Sequence, residues 1–478
     1  MDTAKLKAFV GKQWDDAVIP TLIEYIKIPN KSPAFDPDWE KNGHMAKAVK
    51  LFEDWARERL PALPGSTLEV VQLEGRTPVI LIDVPGTAKG ASKETVLLYG
   101  HLDKQPEMAG WDEGLGPWTP VLKGDKLYGR GGADDGYAMF GSLTALMALE
   151  EQKIPHARCV ILIEACEETG SPDLPYYVDH LSKKLGDPSL VVCLDSGCGN
   201  YDQLWLTTSL RGIAMGELNI RVLEEGVHSG DASGVVPSSF RILRELLSRI
   251  EDEENGKIRL PELYAQIPEH RIAQAKQAAK ILGDDIHDKF PFAGKTKPLD
   301  DDLAELVLNR TWRPALAVTG MDGYPSPQNA GNVLLPFSTA KLSFRLPPTV
   351  NADDATKVLK KALEADPPQK ASVEFKAEHG QDGWNAPELS EWLVKSISTA
   401  SEEAFGRPVA FMGEGGSIPF MKMLGDKFPK TQFVVTGVLG PHSNAHGPNE
   451  FLHIPTGKKV THAIARIVAD HAENAGKS

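Results

Sequence analysis

Five short segments, in a fixed order and each closing an apolar run, carry histidines and carboxylates suited to metal chemistry. They are LLYGHLD (His101, Asp103), GRGGADDG (Asp134, Asp135), ILIEACEETGS (Glu167, Glu168), VVCLDSG (Asp195) and GPHSNAHGPNE (His442, His446). Two imidazoles and three carboxylates from five places match the needs of a pair of divalent ions. Two further carboxylates remain beside them for acid–base work. The chemistry open to such a set is metal-assisted hydrolysis.

Each segment suggests a role. In a strand alternate residues share a face, so His101 and Asp103 point the same way. His101 can ligate through one ring nitrogen while Asp103 holds the other N–H. Asp134 lies in a glycine-rich loop, where its two oxygens could be shared between metals about 3.5 Å apart. Asp135 is placed to cap the helix that follows. The third glycine position of a dinucleotide fingerprint is occupied by Asp134, so that reading fails. Of the adjacent glutamates Glu167 and Glu168, one can ligate and the other can act as general base. Asp195 ends another strand, and alone would read as a turn residue. Glycines and prolines around His442 and His446 predict a rigid loop, with His446 the favoured ligand. His228, in EEGVHSGDASG, is either a solvated loop residue or a donor to a carbonyl or oxyanion. No GxSxG elbow supports serine hydrolysis. Ser417, in GEGGSIP, instead offers a hydroxyl among backbone N–H groups to a substrate carboxylate.

The elements around these segments explain how they could converge. The runs TPVILIDVPG, ETVLLYGHLD, RCVILIEACEE and SLVVCLDSG read as buried strands, with helices near 42–59 and 136–152. Near-continuous apolar strands alternating with helices predict an α/β fold, a mostly parallel sheet covered on both faces. Ligands bind at the carboxyl ends of such strands, where His101, Asp103, Glu167, Glu168 and Asp195 fall. After about Thr207 the texture becomes strand, amphipathic helix, strand, helix capped by Asn351, strand, with a polar stretch near 255–314 and room for one hidden strand. This predicts a smaller α+β domain at 208–383, inserted between catalytic parts at 1–207 and 384–478.

A chain of 478 residues exceeds what one core usually supports. A net charge of −14 repels phosphate backbones and argues against nucleic acid as a partner. The N-terminus lacks signal-peptide features, and no apolar run approaches the roughly 20 residues that span a bilayer. A cytoplasmic protein with no membrane partner is expected. Cys159, Cys166, Cys193 and Cys198 form no CxxC pair and read as buried free thiols.

Taken in order, YGHLDKQP, GWD (110–112), KLYGRGGADDG, EACEETGSPDL, LDSG, GVHSGDASG, SFRLPP, GEGGSIP and HGPNE resemble the di-zinc aminoacylase/carboxypeptidase-type metallopeptidases, nearest the cytosolic non-specific dipeptidase and carnosinase branch. The resemblance spans nearly the whole chain. It implies a di-zinc exopeptidase fold with an inserted lid and dimerisation domain. It implies that His101, Asp134, Glu168, Asp195 and His446 ligate two divalent metals, with Asp134 bridging. His101 and Asp195 would complete one site, Glu168 and His446 the other. Zinc is the first expectation, with manganese and cobalt as alternatives. Asp103 would orient His101, Glu167 would be the base, and His228 would complete the active site of a homodimer partner. Arg345 and Ser417 would anchor the substrate carboxylate, with His379 and Asn332 as further substrate contacts. The sequence departs from the family at DDGYA, at Ser196 and at Asn332. The function implied is dipeptide hydrolysis by a water between two metals with a glutamate base. The alternatives are deacylation of N-acyl amino acids and carboxypeptidase action on short peptides.

Overall fold

The computed structural model describes residues 1–88 and 94–474, so the expected domain ranges include short stretches, 89–93 and 475–478, that lie outside the described residues. The chain forms two compact units. The first comprises Met1–Thr208, Ala386–Met412 and Met423–Ser478; the second comprises Ser209–Asn385 and Gly413–Lys422.

Unit 1 is built on a six-stranded sheet. Its order is Thr67–Val71, Val79–Val84, Arg158–Glu164, Thr95–His101, Pro188–Cys193 and Gln432–Val435. The last four run parallel; Val79–Val84 pairs antiparallel to Arg158–Glu164, and Thr67–Val71 antiparallel to it in turn. Strand Thr95–His101 is buried along its whole length. Val96 and Leu98 join the main core on one face, while Leu97 and Tyr99 are buried on the other. Both faces are therefore covered, which is why these strands lack the polar alternation of an open sheet. Helix Tyr137–Glu151 packs on this sheet and against the long helix Ile454–Asn474. Its residues from Tyr137 to Leu149 are all buried, as its all-round apolar sequence requires. The mostly parallel α/β sheet read from the sequence is present. All four cysteines are buried free thiols.

Unit 2 holds a four-stranded antiparallel sheet in the order Ala315–Asp322, Phe337–Leu346, Gly212–Arg221, Ser372–Ala377. Helices Ser239–Ile250 and Ala352–Glu364 cover one face. Asn351 caps the second, its side chain accepting from Asp354 N at 3.0 Å. Along Phe337–Leu346 burial alternates strictly: Ala340, Leu342 and Phe344 enter the core while Lys341, Ser343 and Arg345 face away. The hidden strand is Ala315–Asp322, an edge strand. The segment Gly413–Lys422 belongs to unit 2, whereas the sequence reading put it in the returning catalytic part. Arg211 Nε donates to Gly415 O (3.2 Å) and the Ser417 hydroxyl to Gln381 Oε1 (3.2 Å), and these bonds hold it there.

Candidate metal centre

Four parallel strands end at one edge of the unit 1 sheet, and the loops leaving that edge carry the site. His101 closes its strand and is 1% exposed. Its Nδ1 donates to the carbonyl of Asp103 (3.1 Å), which leaves Nε2 as the free ring donor atom. The Asp103 carboxylate lies 3.4 Å from Nδ1 and accepts the backbone N–H groups of Glu167 and Glu168, both at 3.1 Å. Asp103 thus fixes both the imidazole and the turn that presents the two glutamates.

Asp134 stands at the centre. Its Oδ1 is 3.5 Å from His101 Nε2, and Asp195 Oδ1 is 3.6 Å from the same nitrogen. Its Oδ2 is 3.1 Å from His446 Nε2, which is also 3.1 Å from Glu168 Oε2. Two triads result, His101–Asp134–Asp195 and Asp134–Glu168–His446, each with its ligand atoms within 4.8 Å of one another. One carboxylate gives one oxygen to each. Glu167 Oε2 is 3.9 Å from His101 Nε2. Gln105 Nε2 donates to Glu168 Oε2 at 2.7 Å.

Asp135 does not cap the following helix; it is fully buried and its Oδ2 accepts the N–H of His101 at 3.3 Å. The Asp134–Asp135 peptide is cis. Gly100 permits this approach, since a Cβ there would sit 2.5 Å from Ala138 Cβ and 2.7 Å from Asp135 Oδ2. Gly131, at φ +84°, lies so close to the Lys104 stem that a Cβ would come within 2.6 Å of it.

The electrostatics fit cations. Burial, then the neighbouring Asp195 charge, pushes the Glu167 carboxyl well up. Burial, then Asp134, raises Glu168 to about 6, and burial raises Asp195. Burial works against the charged imidazoles, but the carboxylates outweigh it, holding His101 well up and His446 at about 11. Asp134 is held down despite burial by hydrogen bonding to both histidines. His101 Nε2 and Glu168 Oε1 are buried without a hydrogen-bond partner among the described residues. Crowded, desolvated carboxylates and an orphaned imidazole nitrogen of mixed N/O character are a donor set for divalent ions.

A layer beneath the site was not legible as function. Arg130 pairs with Glu450 at 2.6 Å, both fully buried, and donates to Gly447 O (2.8 Å), while Gly131 N donates to Glu450 Oε1 (2.9 Å). This ties the Asp134 loop to the His446 loop. Both residues lie in the quoted motifs, but neither motif reveals their pairing.

The remaining expected residues lie in unit 2. His228 is exposed in a short ribbon, paired with Val333. Its Nδ1 accepts from Gly230 N (3.1 Å), which puts the ring proton on Nε2. Ser229 N donates to Asn332 O at 2.9 Å, so the exposed Asn332 belongs to the same ribbon. Arg345 lies opposite Ile213, and Gln381 exchanges backbone bonds with Ile213 (2.8 and 2.9 Å) before its side chain meets Ser417. His379 is exposed beyond strand Ser372–Ala377. His442 is exposed, and it enters neither triad.

Residues 97–470 match the profile of peptidase family M20/M25/M40. The cysteinylglycine-S-conjugate dipeptidase of Corynebacterium striatum is 27% identical over 372 residues, 74% of this chain and 76% of its own length. The human Beta-Ala-His dipeptidase is 25% identical over 473 residues, 92% of this chain and 88% of its own. The solved structure of the di-peptidase Dug1p from Saccharomyces cerevisiae superposes with a TM-score of 0.77 at 22% identity, covering 99% of each chain, and shares the fold.

Proposed function

This chain belongs to peptidase family M20/M25/M40, and on that premise we propose that it is a two-metal dipeptidase. The observation that carries the proposal is Asp134, whose two oxygens serve two triads at the ends of parallel strands. His101, Asp134 and Asp195 would hold one ion; Asp134, Glu168 and His446 would hold the other. Bound there, divalent ions would supply Lewis acidity for hydrolysis; the N/O donor set would suit zinc and would also accept manganese or cobalt.

The protein's own groups do the rest. Glu167, its carboxyl pushed up by burial, takes the proton of the attacking water and passes it to the leaving amine. Asp103 keeps the His101 proton on Nδ1 and fixes the Glu167 backbone. His228, protonated at Nε2, donates to the developing oxyanion. Arg345 and Ser417 take the substrate's C-terminal carboxylate, with His379 and Asn332 as outer contacts. The 209–385 region acts as lid and dimerisation domain. Its edge strand Ala315–Asp322 leaves one side unpaired among the described residues, and Val318, Met321, Val333 and Val235 are exposed on this unit. In the dimer, His228 serves the partner subunit's centre.

The deciding experiment compares free dipeptides, their N-acetylated forms and tripeptides as substrates of the metal-loaded protein. Cleavage confined to free dipeptides is expected. Preferential cleavage of the acetylated forms would replace this reading with a deacylase.

A further inference from the structure

Beyond the strand that ends at His101, the side chains of the next residues divide between two sides. His101, Asp103 and Gln105 meet the candidate metal centre. Leu102 joins the main core, and Lys104 Nζ donates to the carbonyls of Tyr25 and Ile28, both at 2.8 Å. This is the two-residue period of extended chain. Pro106 favours the same conformation at the residue before it, Gln105. The backbone is pinned on either side of Gln105: Lys104 O accepts Ser32 N (2.9 Å), and Pro106 O accepts Arg130 Nε (3.2 Å). Ser32 also bonds through its hydroxyl to Thr169 Oγ1 (2.9 Å), in the turn that carries Glu168. Gln105 is therefore held at a fixed place facing that turn.

Its amide donates through Nε2 to Glu168 Oε2 at 2.7 Å and, in a longer contact, to the Glu168 carbonyl at 3.4 Å. Both partners can only accept, so the amide orientation is settled by them. The bond fixes one oxygen of a side chain that is 2% exposed, while Oε1 has no hydrogen-bond partner among the described residues. A free glutamate carboxylate turns broadly about its last torsion, and a charge-assisted bond to one oxygen removes that freedom. Glu168 belongs only to the Asp134–Glu168–His446 triad. Asp103 differs, since it lies 3.4 Å from His101 Nδ1 and also accepts from the backbone of both glutamates. We propose that Gln105 is a positioning residue for the Asp134–Glu168–His446 centre alone, and that it sets how tightly that one ion is held. This deepens the two-metal reading and rests on it.

The test is titration of zinc into the metal-free full chain against a chromophoric chelator, which reads the affinity of each binding step. Gln105→Leu removes the donor at similar size, and should weaken one step by roughly ten- to a hundredfold while leaving the other as it was. A substitution that merely loosened the fold would weaken both. Single-site backgrounds identify the step. Added to His101→Ala, Gln105→Leu should lower the affinity of the remaining ion by the same factor; added to His446→Ala, it should leave the remaining affinity unchanged. Gln105→Met gives the same comparison if the Gln105→Leu protein does not fold. Unchanged affinity in both steps, or equal weakening of both, overturns the role of Gln105, while two ions bound by the wild type keep the two-metal reading. A wild type that binds fewer than two ions overturns both.

Discussion

At the residue scale the proposed chemistry turns on Asp134, a single side chain that faces a histidine at a strand end and another on a loop. Around it the division of labour is testable. Glu167→Gln keeps both triads, so metal content measured by mass spectrometry stays at the wild-type level while kcat falls by roughly 10²–10⁴; retained turnover would remove Glu167 as the base. In the metal-free protein both imidazoles are held protonated at pH 7, His446 at about 11 and His101 well up, whereas a metal ligand must be neutral. Loading therefore releases about two protons, and affinity rises with pH. Calorimetry in buffers of different ionisation enthalpy reads this directly, and a buffer-independent heat would contradict it. Candidates His101, Glu168 and Asp195 were legible from sequence because each sits at or just past the end of an apolar strand, whereas Asp134 and His446 come from glycine-rich loops. Asp135 was not: a cap is a local inference, whereas its bond to His101 N depends on Gly100 and on a neighbouring strand.

At the scale of elements, the centre depends on how two loops are tied. The 440–450 loop places His442, Asn444, His446 and Asn449 at positive φ, and the buried Arg130–Glu450 pair holds it to the loop bearing Asp134. Arg130→Met leaves Glu450 buried and unpaired, which costs about 3–5 kcal/mol. Urea denaturation of the metal-free protein should show that loss, and metal affinity should fall with it; an unchanged midpoint would mean that the pair does not hold the loops. Helix Ala352–Glu364 was legible because Asn351 marks its start and its apolar positions recur at helical spacing. Strand Ala315–Asp322 was not, because it lies at an edge with no buried residue to set an alternation. Gly413–Lys422 was misassigned because a glycine-rich segment carries no periodicity. Its place in unit 2 comes from the Arg211 and Ser417 bonds.

At the scale of the whole molecule, unit 1 carries the triads and unit 2 carries His228, Arg345 and Ser417. The proposed dimer makes His228 act on its partner's centre, which mixing can test. Glu167→Gln and His228→Ala proteins are each expected to lose roughly a hundredfold or more. Unfolded and refolded together, they should recover activity that neither has alone, because heterodimers contain one centre with both groups intact. No recovery, with heterodimers shown by sedimentation, would place His228 in its own subunit's site or outside the reaction. Among the described residues no helix is long and apolar enough to cross a membrane. The most direct test of the central claim is hydrolysis of free dipeptides by the metal-stripped chain as zinc or manganese is added back. Activity should be absent at the start and rise to a plateau at about two ions per chain. Equal activity without metal, or inert protein with both ions bound, would contradict it.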